Sequence, residues 1–364
     1  MPHRIRYREL DWFLLGCVVL IAAVGVAEIY STTHASPHFT GMHLRQLLWM
    51  GLGAAMLFLL ARIDYHTWLD NAAWAYLGAL ASLVAVLLFG KELFGARRWL
   101  EIAGLTFQVS EVTKLVIIIA LARYLSEVRS ERLNVADLAK VGLLLGVPMV
   151  LIAAQPDLGT ALTLVPIGGM AVFLAGLRWK QAAVLVLAAL LVLPAGWFLL
   201  RPYQRERLVT FLNPGQNPKG PGYQVLQSKI AVGSGGFWGK GMGKGSQNQL
   251  GFLPVRHSEF VMAAYAEEQG FAGVLLVLLL YLALLLRLVH IAETAPDRAG
   301  TYVVTGVASL LLFHLLVNVG MVVGLMPVTG IPLPLISYGG SATVSTWMAL
   351  GLVMSVRLRR FVNL

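Results

Sequence analysis

A chain of 364 residues that is 58% hydrophobic and only 13% charged, with a mean hydropathy of +0.74, falls outside the water-soluble classes, whose domains run near a quarter charged. At roughly 20 apolar residues per crossing it is long enough to span a bilayer many times. The net charge of +10 would suggest nucleic acid in a soluble protein, but Lys and Arg collect on the cytoplasmic loops of membrane proteins, so no nucleic-acid partner is called for.

Apolar windows follow one another near residues 11–30, 44–61, 72–90, 109–122, 138–154, 158–177, 181–200, 270–291, 301–326 and 338–356. They predict an all-α polytopic membrane protein with ten transmembrane helices. The first window reads as a span and not as a cleavable leader, because it is long and lacks a small-residue cleavage site. It holds the single cysteine, Cys17, so no intrachain disulfide forms. An even number of spans puts both termini on one side. Arg4, Arg6 and Arg8 at one end, Arg357, Arg359 and Arg360 at the other, and the 123–140 loop with Arg123 and Arg129 make that side cytoplasmic.

Between the seventh and eighth windows runs a polar stretch of about residues 201–269, which the same count places outside the cell. Loops of that length without a core of their own are functional or disordered. This one carries too many Gly, aromatic and aliphatic residues for a solvated linker. It reads as a structured lid at the membrane surface. Cations break the inside bias here, with Lys91, Arg97 and Arg98 and then a run from Arg201 to Arg256. Long loops tolerate such charge, and an anionic ligand such as a lipid diphosphate would also suit it.

Several side chains carry chemistry. Glu111 and Lys114 lie three apart on one face of an apolar helix, as either a self-neutralising ion pair or the polar wall of a cavity. Asp157 follows Pro156 at a tight turn, where it is suited to capping the next helix. Arg45 opens the second span at headgroup level. The 322–341 stretch, VVGLMPVTGIPLPLISYGGS, holds three prolines at membrane depth, which predicts a packed re-entrant segment. Glu259 ends the polar loop, with Ser258 as a cap for a helix running into the eighth window. A first-turn acid is favourable for dipole reasons alone, but the cations around this one make it a candidate general base. GFWGKGMGKGS lacks the spacing of a phosphate-binding P-loop, and no zinc-protease or serine-elbow pattern is present.

RRWLEI, SEVTKL, QPDLGTAL, YQRERLVTFLNP, QSKIAVGSGGFWGKGMGKGSQNQLGFLP and NVGMVVGLMPVTGIPLPLISYGGS occur in one order over nearly the whole chain. Together they resemble the SEDS family of bacterial cell-wall polymerases, and PVTGIPLPLISYGGSA is closer to its elongation branch than to its division branch. The resemblance implies one transmembrane SEDS domain over residues 1–364 and a peptidoglycan glycosyltransferase in the bacterial cytoplasmic membrane. Its active site would lie on the extracytoplasmic face, polymerising lipid II, the undecaprenyl-diphosphate-linked disaccharide peptide, into β-1,4-linked glycan by an inverting mechanism. It implies Glu259 as the catalytic carboxylate, with Arg45, Arg98, Arg207 and Lys244 on the diphosphate and Glu111, Lys114 and Asp157 lining the cavity beneath the loop. The elongation branch carries an aspartate at the position of Glu259, so PVRHSEF departs from its pattern by one methylene. The expected partners are a class B penicillin-binding protein transpeptidase and an elongation complex. A divalent cation, Mg or Mn, on the diphosphate is an expectation without a legible ligand set. A lipid II flippase and a non-catalytic scaffold for the penicillin-binding protein are the other readings.

Overall fold

The computed structural model describes residues 9–34, 39, 41–93, 96–102, 105–128, 132–213 and 221–360. Arg4, Arg6, Arg8 and Arg129 lie outside them. In chain order the elements are α1 (Trp12–Thr33), α2 (Met42–Arg62), α3 (Tyr65–Asp70), α4 (Ala72–Phe89), a three-stranded antiparallel sheet of β1 (Lys91–Leu93), β2 (Ala96–Ile102) and β3 (Leu105–Phe107), then α5 (Val109–Glu127), α6 (Val135–Ala154), α7 (Leu158–Leu174) and α8 (Trp179–Leu199). There follow α9 (Pro202–Leu212), α10 (Pro221–Gly235), α11 (Ser246–Gln249), α12 (Val261–Glu293), α13 (Arg298–Val322) and α14 (Gly340–Arg359).

Among the described residues, eight helices are long and apolar enough to cross a membrane: α1, α2, α4, α6, α8, α12, α13 and α14. The two other predicted windows hold α7, which is apolar but only 17 residues long, and α5, whose 19 residues include Glu111, Lys114, Arg123 and Glu127. Their starts are written in side chains. Asp11, Asp157 and Asp297 accept the N–H groups of Leu14, Thr160 and Gly300 at 3.0, 3.2 and 2.7 Å, and Asn134 and Asp137 form a reciprocal capping box on α6.

Of the eight, α13 and α14 are the most buried. They pack against α5, α7, α12 and α2, while α8 stands at the periphery with none of its span buried. Asp11 also ties three helices at one end of the bundle. It takes Arg287 of α12 at 2.7 Å and Arg357 of α14 at 3.5 Å, and these guanidinium groups outweigh its burial and hold its carboxyl below the usual carboxylate range.

The polar stretch expected as a loop is largely helical. It contains α9, α10, α11 and the first turns of α12. The eighth window opened at residue 270 because Glu267, Glu268 and Gln269 precede it, whereas α12 begins at Val261 and is kinked at Gly270, with φ 64° and ψ −166°. A Cβ at Gly270 would sit 2.6 Å from the carbonyl oxygen of Phe237, so the kink is where the folded-back loop meets α12. The small sheet was not foreseen, since its strands are only three to seven residues long. Between α13 and α14, residues 323–339 are non-helical and, apart from the exposed Val323 and Leu325, buried or half-buried. Gly25 of α1 backs them, and a Cβ there would come within 2.6 Å of the Ile336 Cα.

Candidate active site

Glu259 is delivered by a tight turn in which Val255 adopts a φ of 47°. The N–H groups of Ser258 and Phe260 both return to the Val255 carbonyl, at 3.0 and 3.4 Å. Ser258 does not cap α12. The cap position falls to Phe260, which has no side-chain acceptor, while the hydroxyl of Ser337 donates to the Ser258 carbonyl at 2.7 Å. The neighbouring carbonyls are held in the same way. His257 accepts from the Tyr338 N–H at 2.9 Å, and Glu259 accepts from Asn318 Nδ2 at 3.0 Å. Asn318 also donates to the Ile331 carbonyl at 2.9 Å. Three successive peptide units are thus fastened to the re-entrant segment and to α13, which fixes where the Glu259 side chain starts.

The carboxylate end faces cations. The backbone of Gly330, with φ 78°, borders both groups: a Cβ there would lie 3.3 Å from Glu259 Oε1 and 3.7 Å from Arg207 Nη1. Arg207, on α9, is aimed by donating to the Val328 carbonyl at 3.1 Å. Arg98, on β2, donates to the carbonyls of Gln155 and Pro156 and lies 3.7 Å from Asp157. Asp157 in turn accepts from Gln108 Nε2 at 2.8 Å while capping α7. Burial pushes the Glu259 carboxyl above its ordinary value, and Arg207 and then Arg98 pull it back. Its carboxyl is thus held above the ordinary value, beside guanidinium groups suited to an anionic oxygen.

The remaining predicted residues fall into two sets. Arg45 is exposed in the first turn of α2, and Lys244 is exposed in the turn before α11. Glu111 and Lys114 form a buried pair 2.9 Å apart. Ser345 donates to the other oxygen of Glu111 at 2.9 Å, and His314 Nε2 lies 3.4 Å from Lys114 Nζ. His314 Nδ1 is 3.1 Å from the Pro332 carbonyl. A carbonyl only accepts, so Nδ1 carries the proton and Nε2 presents its lone pair to the ammonium. The pair thus stands behind the re-entrant segment and braces it through His314, one helical turn from Asn318. Among the described residues no group of three His, Cys, Asp or Glu side chains is placed to hold a metal ion. Glu259 stands as one carboxylate among cations, a donor set that does not fit the expected divalent cation.

Asn318 and Ser337 were not anticipated, although a polar side chain in an apolar span is itself a signal. Glu267 and Glu268 were missed as well. Both are fully buried on α12, and the Gly-rich loop folds onto them. Glu267 takes Lys240 Nζ at 2.6 Å, Ser246 Oγ at 3.1 Å and the N–H groups of Gln247 and Asn248 at 3.0 and 3.2 Å. Glu268 takes the Gly243 N–H at 3.0 Å, Asn248 Nδ2 at 2.9 Å and the Ser31 hydroxyl. The loop that resembles a phosphate cradle is closed around carboxylates of its own chain.

A family model described as a cell cycle protein, covering FtsW, RodA and SpoVE, matches residues 5–360. The chain is 39% identical over 354 residues to the peptidoglycan glycosyltransferase MrdB of Escherichia coli K12, covering 97% of this chain and 94% of that one. A chain solved in a study of how a peptidoglycan synthase complex coordinates polymerization and crosslinking superposes with a TM-score of 0.83 at 36% identity, covering 97% of this chain and 98% of that one. The crystal structure of the rod shape determining protein RodA of Thermus thermophilus superposes with a TM-score of 0.73 at 32% identity and the same coverage.

Proposed function

We propose that this chain, which belongs to the FtsW/RodA/SpoVE family of cell cycle proteins, polymerises lipid II through the carboxylate of Glu259. It is a peptidoglycan glycosyltransferase of cell elongation, and it is a membrane protein. One observation carries the site assignment: a half-buried carboxylate, its backbone fastened at three successive peptides, faces Arg207 across the bare backbone of Gly330.

The donor sugar is α-linked to a diphosphate and the product is β-1,4-linked, so one direct displacement inverts the anomeric carbon. Glu259 takes the proton from the acceptor's 4-hydroxyl as that oxygen forms the new C–O bond. The bond to the lipid diphosphate breaks, and the leaving group departs as an anion. Arg207 and Arg98 stabilise the charge that develops on it, which removes the need for a general acid. Arg45 and Lys244, both exposed, extend the cationic path along which the diphosphate arrives. Asp157 aims Arg98, while Glu111 and Lys114 brace the re-entrant floor and complete the inner side of the cavity.

The topology belongs to the same reading. With α5 and α7 added to the eight long apolar helices, residues 1–364 form one SEDS domain with ten spans. Both termini are then cytoplasmic and the 201–269 stretch lies outside the inner membrane, where lipid II is presented. The natural partner is a class B penicillin-binding protein within an elongation complex, which crosslinks the strands made here. To test the function, the chain is reconstituted in vesicles with a crosslinking-dead penicillin-binding protein and labelled lipid II. Glycan cleavable by a β-1,4-specific muramidase is the expected product. Movement of labelled lipid II across the vesicle wall without any glycan would replace the polymerase with a transporter.

A further inference from the structure

Glu28, on the outer part of α1 by the topology above, has no counter-charge among the described residues. It is 3% exposed. No hydrogen-bond partner reaches its Oε1, a costly condition for a buried oxygen. The charges that act most strongly on it, Glu268 and Glu267, are both negative. Those two are satisfied elsewhere, by Lys240, Ser31, Gly243 and Asn248. Glu28 instead lines a cavity of about 170 Å³ with Val24, Ala27, Met242, Tyr265 and Gln269. Ala27 and Met242 at its rim are exposed, so a ligand can enter between α1 and the loop.

We propose that this cavity is a binding site for a primary ammonium group. Glu28 supplies the charge, and the Gln269 amide oxygen and Tyr265 hydroxyl supply neutral acceptors, three acceptors for the three N–H donors of such a group. A divalent metal is the poorer occupant, because no group of three His, Cys, Asp or Glu side chains is placed to hold one among the described residues. A quaternary ammonium has charge but no N–H and leaves the acceptors unmet. A water occupies about 30 Å³, so the cavity admits the ammonium together with a short alkyl stem. Two sources share this chemistry: the headgroup of an aminophospholipid and the free amine of a peptide carried on a lipid-linked substrate. Only the second draws on the polymerase reading; the first stands whether or not Glu259 is a base.

The test uses the full chain in nanodiscs. Native mass spectrometry of wild type should show phosphatidylethanolamine retained over phosphatidylcholine by about tenfold or more, and Glu28→Gln should remove that preference. Gln269→Leu, which leaves the Glu267 and Glu268 network intact, should weaken it in the same direction and serves if Glu28→Gln melts early. If the two lipids are retained equally, a rise of about tenfold in KM on acetylating the peptide amine of lipid II, absent in Glu28→Gln, supports the site with the peptide as its source. The absence of both a lipid preference and an amine effect that depends on Glu28 would overturn the proposal.

Discussion

Glu259 must be ionised to take a proton, yet its burial favours the neutral acid, and the balance rests on two guanidinium groups. The polymerisation rate of wild type should therefore fall as pH drops through a carboxyl pKa above the ordinary value, since only the ionised form is a base. Arg207→Ala removes the stronger of the opposing charges. It should slow the reaction by roughly 100-fold and move the acid limb of the pH–rate profile to higher pH, because the Glu259 pKa then rises further. A slower enzyme with an unmoved limb would detach Arg207 from the base. Glu259 stood out in the sequence as a carboxylate closing a cation-rich polar stretch, while Arg207 came only from the family resemblance. Asn318 was not legible, since its role is to fasten backbone 59 residues away, and no spacing rule connects the two positions.

At the scale of elements, the site is a junction of the turn before α12, helix α9 and the re-entrant segment, with Gly330 bordering both Glu259 and Arg207. The Gly330 φ of 78° belongs to the left-handed region, where a side chain costs about 1–2 kcal/mol. Gly330→Ala should lower the melting temperature slightly. It should also slow polymerisation by roughly tenfold or more, because the new methyl group presses on the carboxylate and small displacements of a base are expensive. A normal rate in this variant would mean that the carboxylate does not work where it lies. The prolines announced this segment in advance. The small sheet carrying Arg98 was hidden, because strands this short give no periodicity. The helices inside the 201–269 stretch were hidden too, since the buried faces of α10 and α11 are set by packing on α12 and not by an apolar stripe. The Gly-rich loop, whose spacing already spoke against a phosphate cradle, closes around Glu267 and Glu268.

Over the whole molecule, hydropathy alone gave the helical membrane architecture, and the windows matched the helices within a few residues except where α12 begins early. The proposed orientation is testable by labelling. In a Cys17→Ser background, Leu250→Cys should react with an impermeant maleimide in intact spheroplasts, and Glu293→Cys only after permeabilisation; the reverse pattern would invert the topology. The central claim is that Glu259 is the general base, and one comparison tests it most directly: the initial rate of lipid II polymerisation by Glu259→Gln against wild type, with melting and lipid II binding measured on the same samples. A raised carboxyl pKa means that ionised Glu259 opposes folding at neutral pH, so the neutral glutamine should melt at the same temperature or higher. The account predicts retained binding, an undiminished melting temperature and a rate lower by roughly 100-fold or more. A rate within a few fold of wild type would contradict it.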